Sequence, residues 1–101
     1  MQTNVASREG RVEIRLVGRF DFNSHREFRE AVDTALADAA AKELTVDLGG
    51  VEYLDSSALG MLLMLRDKAK AAGKSIALTN CRGVVKQVLD IANFGKLFNM
   101  A

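Results

Sequence analysis

The 101-residue chain has a single cysteine, Cys81, a single histidine, His25, and no proline. One thiol forms neither an internal disulfide nor a cysteine-rich metal site, and a reduced, cytoplasmic location is the simplest reading. One imidazole, set among polar residues near a helix start, lacks the converging partners that a metal site or acid–base work needs. His25 therefore reads as an exposed helix residue and Cys81 as a small core residue, with no metal and no cofactor implied. No charge-free run approaches the roughly 20 residues that cross a bilayer, so no membrane insertion is expected. The opening stretch MQTNVASREGRVEIRL lacks the apolar core of an export signal. Excess charge is missing too: 14 basic and 13 acidic residues leave a net charge of +1. With no basic block and no aromatic platform beside one, that balance excludes a nucleic-acid binder that works by neutralising many phosphates. Without proline or a linker-like stretch, a chain of this length reads as one domain, 1–101, with one core.

What is present alternates between two periods. In RVEIRLV, Val12, Ile14 and Leu16 share one face, and Arg11, Glu13 and Arg15 the other, which is a half-buried strand stopped at Gly18. A short strand is expected before it, with a turn at Glu9-Gly10. RFDFN then leads into a helix start, where Ser24 and Glu27 have capping-box spacing. Phe28, Ala31, Val32, Ala35, Leu36 and Ala39 follow the helical repeat. ELTVDL reads as an inner strand stopped by Gly49-Gly50. A second helix is expected from Ser57 to about Ala72, ended at Gly73. SIALT is the next strand, and Val84, Val85, Val88, Leu89 and Ala92 mark a third helix. NFGKLFNM reads as a last helical turn that folds Phe94, Leu97 and Phe98 onto the body. The order β, β, α, β, α, β, α predicts an α/β fold: a mixed sheet of four to five strands with helices packed against it.

The chemistry rests on YLDSSALGMLLMLRD, which places Asp55, Ser56 and Ser57 in front of an apolar helix. A nucleophile elbow needs G-x-S-x-G with an acid and a histidine, but the first glycine is missing and His25 has no evident reason to meet Ser56. A phosphate-cradling G-x-x-x-x-G-K-[ST] loop is absent. The chain therefore reads as a non-enzyme. All three residues are good N-cap types, and one cap explains only one of them.

The helix beyond them has more apolar surface than a core requires. At about 100° per residue, Ala58, Leu59, Met61, Leu62, Leu65, Ala69 and Ala72 form one arc that should face the sheet. Leu63 and Met64 fall outside it, on a stripe with Ser56, Gly60, Asp67 and Ala71. Such patches mark partner surfaces, and methionine suits an adaptable contact; a helix buried on two sides is the alternative. A phosphoryl group on Ser56 would sit at a helix N-terminus, where anions are stabilised. It would add roughly −1.5 to −2 charges beside the apolar stripe and next to Asp55. The fold would tolerate that charge, but a partner burying Leu63 and Met64 would not. Gly60, one turn on, leaves the serine accessible.

VDLGGVEYLDSSALGMLLMLRDKAKAAGKSIALTNC resembles the signature region of STAS domains, the anti-anti-sigma-factor family of bacteria. VEIRLVGRFDF is similar to the family's second strand and following turn, and GVVKQVLDIANFGKLF to its C-terminal helical region, so the likeness covers essentially the whole chain. It is nearest to the stand-alone gamma-proteobacterial antagonists carrying FDF and YLDSSALGMLL, which act in partner-switching pathways of motility, biofilm formation or stress. The resemblance implies that Ser56 is phosphorylated by a partner serine kinase and released by a PP2C-type phosphatase. It also implies that Asp55 orients the loop, that Ser57 is neighbour and cap, and that Asp21 lies near the phosphorylation loop. The unphosphorylated form would bind an anti-sigma factor or other regulator through Ser56, Leu63, Met64 and Asp67. Ala58 departs from the pattern, standing where many members have glycine. STAS domains also serve as accessory subunits of transporters that dock on an ATPase, and that is the alternative.

Overall fold

Strand β2 (Arg11–Phe20) shows the alternation read from the sequence: Val12, Ile14, Leu16 and Phe20 are buried, while Arg11 and Arg15 are exposed. The structure, a computed structural model, describes residues 1–100. The expected preceding strand, β1 (Gln2–Arg8), pairs antiparallel with β2 from Gln2↔Val17 to Arg8↔Arg11. Glu9 and Gly10 between them have φ of 48° and 80°, the left-handed pair that suits the twist of a two-residue hairpin. Beyond β2, one 3-10 turn (Phe22–Ser24) leads into α1 (His25–Leu36). There follow β3 (Glu43–Leu54), α2 (Ser56–Ala71), β4 (Ser75–Thr79), α3 (Gly83–Ile91), a second 3-10 turn (Phe94–Lys96) and β5 (Asn99–Met100). The five strands lie in chain order, all parallel except β1, and helical crossovers join the parallel neighbours.

One core forms between sheet and helices. Phe28, Ala31, Val32 and Ala35 of α1, Met61, Leu62, Leu65 and Ala69 of α2, and Val85 and Leu89 of α3 pack on Leu44, Val46, Leu48 and Leu78. The rings of Phe20 and Phe28 meet at 4.9 Å, and those of Phe94 and Phe98 stack at 5.2 Å. Ala39, expected to continue the α1 stripe, is exposed beyond the helix end. The C-terminus of α2 has Gly73 at φ +72°, with Gly73 N–H on Lys70 O (3.0 Å) and Lys74 N–H on Ala69 O (2.9 Å). This is the Schellman closure for which glycine is suited. No helix is long and apolar enough to cross a membrane among the described residues.

Two strands run past the glycines expected to stop them. β2 continues beyond Gly18 to Phe20, with a register shift against β3 at Gly18/Arg19. β3 continues through Gly49-Gly50 to Leu54. Those glycines are a site of close approach, not a turn. A Cβ on Gly50 would lie 2.9 Å from Val17 Cγ2 and 3.0 Å from the carbonyl oxygen of Leu16, beside the register shift between Arg15 and Val17. Gly50→Ala should therefore lower stability by about 1–3 kcal/mol through local overpacking. Thermal melts check this, at roughly 4–8 °C of midpoint per kcal/mol in a domain of this size.

The register positions the site. Phe20 and Leu54 are partners on adjacent parallel strands. The chain therefore leaves β2 and β3 side by side, at Asp21 and Asp55.

Candidate functional site

Both aspartates are extended and act as caps. Asp55 (φ −110°, ψ −175°) ends β3, its N–H donating to Phe20 O at 3.3 Å. Its Oδ1 accepts from the Ala58 N–H (3.0 Å), closing the first turn of α2, and its Oδ2 accepts from the Phe22 N–H (3.3 Å). One carboxylate thus ties the start of α2 to the turn after β2. In that turn, Asp21 Oδ1 accepts from the Asn23 N–H (3.0 Å), and the Asp21 N–H donates to Ser24 Oγ (3.2 Å). The expected Ser24–Glu27 capping box does not form. Ser24 is 2% exposed, and its hydroxyl donates to Arg19 O (2.9 Å), so it serves the turn before α1 rather than the helix itself.

The capping role expected of Ser57 belongs to Asp55. Ser56 and Ser57 are the first two residues of α2, both exposed, and neither hydroxyl makes a hydrogen bond with any described residue. Ser56 therefore stands at a helix N-terminus, where an added anion is favoured by the dipole and the open N–H groups. His25 begins α1 and is exposed, and no hydrogen bond joins it to either serine. Cys81 is half-buried, and that burial raises its thiol pKa, with a smaller opposing effect from Lys86. Burial thus disfavours the thiolate, the nucleophilic form of the group. Among the described residues, no three His, Cys, Asp or Glu side chains cluster as metal ligands would.

Along α2, Gly60 and Asp67 are exposed, and a Cβ on Gly60 would meet nothing within 4 Å. Met64 is half-buried. Leu63, expected outside the core arc, is half-buried and packs against the core, so it contributes only part of its side chain to the surface. Asp67 pairs with Arg66 at 3.6 Å, and Arg66 in turn donates to Leu97 O at 2.9 Å. Beside the strand ends, the Arg19 guanidinium lies 4.2 Å from the Tyr53 ring centre and 3.7 Å from Asp21. A cavity of about 670 Å³ lies elsewhere, between Arg15, Asp47, Asn80 and Arg82, and neither serine lines it.

Reading the sequence missed Phe22. The residue is 71% exposed, and it follows Asp21 directly with its N–H on Asp55 Oδ2. In FDF the two phenylalanines are two apart, which on a strand would put both inward. β2 ends at Phe20, the parity breaks at Asp21, and Phe22 points out.

A family profile described as "Mlab, STAS domain" matches residues 3–99. A STAS-domain containing protein of Pseudomonas aeruginosa (strain UCBPP-PA14) is 44% identical over 88 residues, 87% of this chain and 85% of that one. An anti-sigma factor antagonist from Mycobacterium paratuberculosis has a similar structure, with TM-score 0.81, 24% identity, and 98% and 83% of the two chains covered. The Bacillus cell fate determinant SpoIIAA in its phosphorylated form matches with TM-score 0.73 and 21% identity, over 99% of this chain and 91% of that one. The two structural likenesses concern the fold.

Proposed function

This chain belongs to the STAS domain family, and we propose that it acts in the cytoplasm as an anti-sigma factor antagonist, a binding module rather than an enzyme. Unphosphorylated, it holds an anti-sigma factor or other regulator against the face of Ser56, Leu63, Met64 and Asp67. A serine kinase phosphorylates Ser56 and the partner leaves; a PP2C-type phosphatase restores the binding form. The observation that carries this reading is the division of labour at the start of α2. Asp55 supplies the cap, and the Ser56 hydroxyl is exposed with no structural bond to lose. Modification there leaves the fold intact and changes only what the surface presents. The phosphorylated state of SpoIIAA, a protein of the same fold, supports a phosphate being compatible with such a domain.

Met64→Lys should weaken partner binding about tenfold or more, because a partner would have to desolvate an unpaired ammonium. Half-buried Met64 is not among the residues packed into the core, so the melting midpoint should move little. The test is recovery of the tagged full chain from its own cells, with bound proteins identified and the two affinities measured. An anti-sigma factor lost in the Met64→Lys variant supports the reading. A transporter ATPase subunit held constantly, with Ser56 never modified, overturns it in favour of a docking subunit.

A further inference from the structure

A phenylalanine held in water forgoes the stabilisation that burial of its ring would contribute. Phe22 is the most exposed aromatic residue described, at 71%, against 38% for Tyr53. It does not sit on a floppy loop. Its own N–H is bound to Asp55 Oδ2, the next N–H to Asp21 Oδ1, and the flanking Ser24 is fixed to Arg19 O and to the Asp21 N–H. The ring is thus a convex aromatic knob on a pre-ordered turn. The carboxylate that fixes its backbone also fixes the first turn of the helix carrying Ser56. Tyr53, with Arg19 over its ring, adds an aromatic and an arginine at the same strand ends. Aromatic residues and arginine are the types enriched where interfaces concentrate their energy.

We propose that Phe22 is the anchor of the Ser56 interface, seated in a one-ring apolar pocket on the protein partner. This rests on the reading of Ser56 as the switch. A rigid ring with two side-chain torsions loses little entropy on docking, so its burial goes largely into affinity. The knob lies on the turn after β2 and the phosphate site on α2. Phosphorylation therefore leaves Phe22 presented as before and acts on the partner through charge alone. Affinity comes from one element and switching from the other.

The test replaces Phe22 by the photo-crosslinker p-azidophenylalanine, which keeps a single ring, in the full chain, in its own cells, with the same replacement at exposed Glu30 of α1 as control. Affinities of Phe22→Ala and Phe22→Leu for the cross-linked protein follow. The expected result is a cross-link from position 22, not from position 30, onto apolar residues of a protein that Ser56 phosphorylation releases. Phe22→Ala should then bind about 30-fold or more weakly, Phe22→Leu should recover part of the loss, and both should melt near the wild-type midpoint. A partner still released by Ser56 phosphate, but bound by Phe22→Ala as tightly as by wild type or cross-linked only from position 30, overturns the anchor and leaves the switch standing. Cross-links only to a second copy of this chain also overturn it. If no bound protein responds to Ser56 modification, the switch fails and the anchor with it.

Discussion

Ser56→Glu is expected to lower affinity for the partner by about 100-fold or more, corresponding to roughly 3 kcal/mol for burying an unpaired charge. The same variant should melt at or slightly above the wild-type midpoint, because a carboxylate in the first turn of a helix gains up to about 1 kcal/mol from the dipole. The combination is diagnostic. A residue that mattered to the fold would lose binding and stability together. Here the two separate, because Asp55 and not Ser56 closes the turn, through its bond from the Ala58 N–H. Ser56→Ala should bind as wild type does and remain bound when the kinase is active. Calorimetric titration and thermal melts on the same preparations check both halves. Equal affinity for wild type and Ser56→Glu would contradict the assignment of Ser56 to the interface.

Asp55→Ala should be the most destabilising single change at the site. It removes the cap of α2, worth about 1 kcal/mol, and a charge-assisted bond to the Phe22 N–H, worth about 1.5 kcal/mol or more. A loss of about 2–3 kcal/mol should lower the midpoint by roughly 10 °C or more in a domain of this size. Asp55→Asn separates the two contributions. Asparagine caps as well as aspartate does, but its one carbonyl oxygen cannot serve both Ala58 and Phe22, which the two aspartate oxygens now reach at 3.0 and 3.3 Å. The Asn variant should fall between Ala and wild type. Because the turn carrying Phe22 loosens in both variants, partner binding should weaken in both. Stability equal to wild type in Asp55→Ala would contradict this account of the site.

The period-two run of β2 and the helical repeat of α1 were legible because one face of each is buried and the other solvated, whereas in α3 Val85 and Leu89 are buried but Val84, on the same expected stripe, is exposed. The starts and stops were harder to read. Asp55, Ser56 and Ser57 are all capping types, so composition alone does not choose among them. The choice is made by β3, which delivers Asp55 in an extended conformation and ties its N–H to Phe20 O. Ser24 looked like a cap for the same reason, but the Asp21 turn takes its hydroxyl first. Gly49-Gly50 carried a turn signal whose true cause lies in another strand, at Leu16 and Val17. The two-residue β5 pairs Asn99 with Ala77 and Met100 with Leu78 and is too short to show a period. The exposure of Ser56, Gly60 and Asp67 follows from spacing, whereas Leu63 packs on the core against that spacing and Phe22 depends on where β2 ends.

Phosphopeptide mapping of the intact protein from its own cells, growing and stressed, with bound proteins quantified in the same samples and Ser56→Ala beside it, tests the switch most directly. Phosphate on Ser56 that changes with conditions, with partner loss in proportion and neither change in Ser56→Ala, is the predicted result. Unmodified Ser56 under every condition, with one constant partner, would contradict it.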